Sequence, residues 1–124
     1  METEKRTYVE KALSYVGFAA RSGKLAAGTD QVLTEVRRAS SRSVSDGIAV
    51  LLATDASDRT KKQVRDKCAF YKVSLFEITC SDELSRAAGK KGALSAICIT
   101  DKNLAAAVIN TLKEPDGNNQ QKNG

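Results

Sequence analysis

The sequence predicts an α/β domain in three layers, with helices on both faces of a small four-stranded sheet. Three observations carry that prediction. Five stretches with helical apolar spacing alternate with four stretches of strand-like composition. The run Ile48 to Ala53 is apolar at every position, which suits a central strand covered on both faces rather than a half-wet edge. The chain has 124 residues, enough for one domain with a single sizeable core, and shows no internal repeat.

In the first helix Val9, Leu13, Val16 and Ala20 recur at helical spacing, with Ala12 and Ala19 widening the stripe into a face that can pack on a sheet. It ends near Arg21-Ser22-Gly23. A short strand, Lys24 to Ala27, leads through Gly28 or Thr29 as cap into a second helix that carries Val32, Val36 and Ala39 on one face with Leu33 beside them. Ser40 to Gly47 reads as a polar loop before the strand Ile48 to Ala53. Asp55-Ala56-Ser57-Asp58 supplies turn and cap residues for a third helix in which Val64, Cys68 and Tyr71 share a face. Val73 to Thr79 and Leu94 to Thr100 are strands by their β-branched content. Between them Ser81 to Gly89 reads as a short capped helix ending at a C-terminal glycine. The last helix buries Leu104 or Ala105, Val108, Ile109 and Leu112. From Glu114 onward the polar residues cannot bury apolar area to offset chain entropy, so residues 1–113 are expected as the folded domain and 114–124 as a disordered tail.

Composition narrows the function classes. No segment approaches the roughly 20 apolar residues of a membrane span, and the charged stretch Met1 to Glu10 lacks the apolar run of a secretory signal. A cytoplasmic chain with Cys68, Cys80 and Cys98 reduced is expected. The net charge of +5 favours acidic partners, and the bases cluster around Arg21/Lys24, Arg37/Arg38/Arg42, Arg59/Lys61/Lys62/Arg65/Lys67 and Arg86/Lys90/Lys91. The first and last of these clusters fall at turns, where folds present function.

Catalytic chemistry is poorly supplied. Histidine is absent, which removes the commonest general base and metal ligand together. The cysteines are too far apart for a C-x-x-C site, and Cys68 and Cys98 fall on apolar faces as core thiols. Asp55 and Asp58 stand where helix caps stand, and no metal or other cofactor is expected. Gly89-Lys90-Lys91-Gly92 lacks the preceding strand and following Ser/Thr of a phosphate loop and reads as an exposed basic loop. With no Trp, three Tyr and three Phe, a stacking surface for single-stranded nucleic acid is thinly supplied.

The segment Gly23 to Val32 is the most informative. A short strand running through a glycine turn into a helix aims free backbone N–H groups and the positive end of the helix dipole at whatever lies beyond. With Arg21 and Lys24 flanking it, the natural occupant is a phosphate.

The order of elements, together with Ser22-Gly23-Lys24-Leu25, Gly28-Thr29-Asp30-Gln31-Val32, Leu52-Ala53-Thr54-Asp55-Ala56-Ser57, Cys68-Ala69-Phe70-Tyr71 and Glu83 to Gly89, resembles the kink-turn RNA-binding ribosomal proteins of the L-seven-Ae and L-thirty-e type, in their bacterial YlxQ-like branch. The likeness spans roughly Val9 to Leu112. It implies an L-thirty-e-like α-β-α sandwich with a four-stranded mixed sheet. It also implies a non-catalytic role in binding sharply bent, ribosomal or other structured RNA through the start of the second helix and the loop after the short fourth helix. Family members carry Gly, a small residue, Asn and Glu where this chain has Gly28, Thr29, Asp30 and Gln31, and commonly a Lys where it has Thr34.

Gln31 can donate and accept at a base edge, whereas ionised Asp30 only accepts and repels phosphate. Where more typical members pack apolar loop residues on a bulged nucleotide, this chain has Lys90-Lys91-Gly92, so weaker and more salt-dependent binding is expected. The resemblance makes Lys24, Gly28, Thr29, Asp30, Gln31, Arg86, Lys90 and Lys91 the candidate RNA-binding residues, brought by two turns to one end of the sheet.

Plainer readings stand beside these. Gly28 is also a good turn glycine, Asp30 a first-turn acid favoured by the helix dipole, and Arg37, Arg38, Lys61, Lys62 and Arg65 a solvated face. A protein-binding adaptor on the same fold is the alternative function, and a nucleotide-handling enzyme is a third that lacks its phosphate loop. Nothing in the apolar pattern calls for an oligomer, so a monomer without a small-molecule substrate is expected.

Overall fold

The computed structural model describes the backbone of residues 2–41 and 47–120 and the side chains of 7–39 and 47–113. The elements follow in the order α1 (Glu2–Arg21), β1 (Leu25–Ala27), α2 (Thr29–Ser41), β2 (Ala49–Leu52), α3 (Asp58–Tyr71), β3 (Ser74–Phe76), α4 (Ser81–Ala88), β4 (Ala96–Ile99) and α5 (Lys102–Gln120).

The strands form one sheet in the order β1-β4-β2-β3. β4 pairs antiparallel with both β1 and β2, and β2 pairs parallel with β3. The sheet is therefore mixed. The central strands β2 and β4 are buried at every position, as the unbroken apolar run Ile48 to Ala53 requires.

Because successive side chains of a strand point to opposite faces, each central strand feeds two cores. Ala49, Leu51, Ile97 and Ile99 face α1, α4 and α5, where they meet Ala12, Val16, Ala19, Leu84, Ala105 and Val108. Val50, Leu52, Ala96 and Cys98 face α2 and α3, where they meet Val32, Val36, Ala39, Val64 and Cys68. Burying a side chain of the size of Leu51 or Ile97 contributes on the order of 1.5–3 kcal/mol. Small residues at Ala12, Ala19 and Ala105, all fully buried, let the helices sit close to the sheet.

All four strands are shorter than expected, most of all those read as Val73 to Thr79 and Leu94 to Thr100, and three helix boundaries also differ. α1 begins at Glu2, well before the expected start near Val9, and residues 2–6 are mostly good helix formers by type. α2 continues through Ser41 into the segment expected as loop, of which 42–46 lie outside the described residues. α5 runs to Gln120, through Pro115 and Gly117 and past the boundary expected at residue 113. Residues 121–124 of the expected tail lie outside the described residues. Among the described residues no helix is long and apolar enough to cross a membrane.

Candidate nucleic-acid interface

α1 stops by handing its last carbonyls to the next turn. Gly23, at φ +72°, donates to the Ala20 carbonyl and Lys24 donates to that of Ala19 at 2.8 Å, the double bond of a glycine-terminated helix. β1 then runs three residues to Gly28, whose φ of +97° is reserved for glycine by its backbone, since a Cβ there would meet no atom within 4 Å. The Gly28 N–H donates to the Ala96 carbonyl at 2.9 Å, and its own carbonyl accepts from Val32 at 3.0 Å. Gly28 is therefore the cap position of α2. The amides of Thr29, Asp30 and Gln31 form the first helical turn, which has no intrahelical acceptors. Asp30 and Gln31 are exposed and Gly28 and Thr29 half-buried.

The bond from Gly28 to Ala96 fixes what lies beside this helix start. Ala96 opens β4 at the end of the loop that follows α4, and the adjacent Ser95 carbonyl accepts the Ala53 N–H at 2.7 Å. The start of α2, the end of β2 and the loop carrying Lys90 and Lys91 thus share one end of the sheet. Arg86, Lys90 and Lys91 are all exposed.

Lys24 is not part of this grouping. Its carbonyl accepts the Thr100 N–H at 2.9 Å, beyond the far end of β4. The extended chain from Lys24 to Gly28 spans about 13 Å. Arg21 lies at that far end too, with its guanidinium 5.1 Å from the centroid of Phe18, so the phosphate cradle expected from Arg21, Lys24 and Gly28 together does not form. A three-residue strand was enough to send these bases away from the turn.

Buried polar contacts that the sequence did not reveal hold the basic loop in shape. α4 ends at Gly89, φ +71°, with Gly89 N–H on the Arg86 carbonyl and Lys90 N–H on that of Ser85. The buried Ser85 hydroxyl donates to the carbonyls of Gly92 and Lys90, clasping the loop on both sides of Lys91. A serine on the buried face between Leu84 and Ala88 is the signal that points to such a fixed partner.

The other end of α4 is anchored across space. Asp55 accepts from the Ser81 N–H at 2.9 Å and from its hydroxyl at 3.0 Å, while α3 is capped by Ser57, whose side chain accepts the Thr60 N–H. Asp55 thus caps α4 and not the helix it precedes in sequence. The Ser81 hydrogen bonds hold its carboxyl below the usual value of 3.8. Beside it the hydroxyl of buried Thr79 bonds to Glu83.

Other candidates prove committed elsewhere. Arg65 grips Glu77 with two bonds of 2.6 and 2.9 Å, which joins α3 to β3 and pushes the Glu77 carboxyl down. Thr34 donates its hydroxyl to the Asp30 carbonyl at 3.0 Å and so stays within its own helix. Burial pushes the Cys68 thiol up to about 11 and the Cys98 thiol higher still, as core positions require. No cluster of metal-ligating side chains occurs among the described residues.

The sequence pattern of the ribosomal protein L7Ae/L30e/S12e/Gadd45 family matches residues 10–109, which include every strand and both turns of the site. The chain belongs to that family. Among relatives of the L7Ae/L30e type, it is 35% identical to the RNA-binding protein YlxQ of Bacillus subtilis (strain 168) over 97 residues, 78% of this chain and 90% of that one. It is likewise 35% identical to RNA-binding protein YlxQ of Enterococcus faecium over 81 residues, 65% and 73% of the two chains. These matches bear out the YlxQ-like branch that the motifs suggested.

Two solved structures superpose with a TM-score of 0.72. One is a Bacillus halodurans protein of unknown function, 29% identical, covering 82% of this chain and 96% of its own. The other is the 15.5 kD RNA-binding protein of Giardia lamblia, which at 18% identity, with 87% and 89% covered, shares the fold alone. The expected L30e-like α-β-α sandwich is the observed one.

Proposed function

We propose that this L7Ae/L30e family chain is a non-catalytic, monomeric, cytosolic RNA-binding protein that recognises a kink-turn or similarly bent element of ribosomal or other structured RNA. The observation that carries this reading is the Gly28-to-Ala96 hydrogen bond, which sets a helix start with free amides beside a cationic loop. RNA binding by the YlxQ relatives, as their names give it, supports the same reading.

Each residue then has a stated task. The first-turn amides of α2 meet a phosphate, where the helix dipole also favours an anion. Gln31 offers both a donor and an acceptor to a base edge. Thr29 and Gly28 admit the backbone closely, and Arg86, Lys90 and Lys91 neutralise phosphates on the flanking strand. Asp30 only accepts, so it suits a base amino group and weakens the phosphate contact of the neighbouring amides, in keeping with the weaker binding expected from the sequence. Lys24, at the other end of β1, adds long-range attraction only.

Titrating the protein with a kink-turn RNA and a straight duplex of matched length tests this reading. Preference for the bent RNA is expected, and equal affinity would reduce the function to general attraction for polyanions. Exposed Asp30 at the helix start favours one alternative, a protein-binding adaptor. Partners that survive nuclease treatment in a pull-down would support that alternative, and partners lost with the RNA would dismiss it.

A further inference from the structure

The outer surface of α2 and α3 holds a groove lined by Leu33, Gln63, Asp66, Lys67, Phe70 and Tyr71. Phe70 is 75% exposed, more than any other large hydrophobic among the described residues, and its ring stands edge-on to Tyr71 with centroids 4.9 Å apart. A ring this exposed buries little of its area in the core.

The rim is cationic. Lys67 lines the groove itself, Arg37 lies one turn along α2 from Leu33, and Arg59 lies one turn before Gln63 on α3. None of the three is ion-paired among the described residues, whereas the acid in the groove, Asp66, is already neutralised by Lys62 at 3.0 Å. The site is apart from the loop after α4, yet it shares α2 with the proposed RNA-reading turn.

We infer that this face is a second RNA contact, a platform on which a base of an unpaired stretch flanking the folded element stacks on Phe70 while Arg37, Arg59 and Lys67 follow its phosphates. The inference rests on the RNA-binding function proposed above. Three cations without an ion pair among the described residues, spread along α2 and α3 beside one exposed ring, fit a single strand better than a protein, whose interface core is depleted of charge and much larger than this patch.

The chain contains no Trp, so Phe70→Trp makes a unique fluorophore at an exposed position. Unstructured oligouridylate should quench it, less so at raised salt and less so with Lys67→Ala, while inorganic polyphosphate should not. Separately, adding an unpaired extension to a kink-turn RNA should tighten wild-type binding about five-fold or more and leave Phe70→Ala unchanged. If neither quenching nor an extension effect occurs, the inference is overturned while kink-turn preference, read in the same titration, still stands. Quenching without kink-turn preference would support this platform and refute the proposed reading of the α2 turn. Quenching by polyphosphate as strongly as by the oligonucleotide would overturn stacking, as would Phe70-dependent self-association without any oligonucleotide response.

Discussion

Gln31 carries the sharpest claim at the scale of single residues. It is exposed, stands in the first turn of α2, and has a side chain that can pair two ways with a base edge. A bidentate base contact is worth about 1–3 kcal/mol of discrimination, so Gln31→Ala should weaken bent-RNA binding by that amount and leave unfolding by urea unchanged. Lys72 offers a separate test of backbone reasoning. It closes α3 at φ 58°, a left-handed position usually given to glycine, with its N–H on Ala69 and that of Val73 on Cys68. Removing the Cβ relieves strain but loosens the unfolded chain, so Lys72→Gly should raise stability by at most about 1 kcal/mol in denaturant titration. Gly28 and Gly89 were legible as turn glycines because few other residues take positive φ. Lys72 was not, since nothing in its type marks the conformation.

At the scale of elements, α4 is the part whose placement the proposed function needs most, and polar ties hold both its ends. Ser85→Ala should free the Gly92 and Lys90 carbonyls, which hydrogen exchange would register as faster exchange over Lys90 to Ala93. The same variant should bind RNA more weakly, since the loop must then be ordered on binding. At the other end, Asp55 contributes to stability only when ionised. Its folded-state value is depressed below 3.8, so the contribution is complete above that pH and is lost as pH falls through the lower folded value. The stability difference between wild type and Asp55→Ala should therefore be flat near neutrality and shrink below pH 3.8, measured by urea melts across pH. Element order and faces were readable from apolar spacing because periodicity encodes them. The partners of Asp55, Thr79 and Ser85 were not, because contacts between distant segments depend on how the layers close, which local pattern does not record.

At the scale of the whole molecule, the two-sided core holds the sandwich together, and the net charge of +5 comes from bases on several elements. Sequence alone grouped Lys24 with the α2 turn, and the length of β1 separates them. Charge acts on affinity differently from a reading head, so replacing Lys90 and Lys91 by Ala should lower binding to bent and straight RNA alike. That double variant should also flatten the salt dependence by about one logarithmic unit per lost phosphate contact, as seen in titrations over a salt series. The central claim, that the start of α2 reads bent RNA, is tested most directly by one comparison: the affinities of wild type and Gln31→Ala for a kink-turn RNA and a matched straight duplex, at two salt concentrations. Wild type should bind the kink-turn more tightly than the duplex, with that preference lost in the variant at both salts. Equal affinities for the two RNAs, unaffected by Gln31→Ala and falling together with salt, would contradict it.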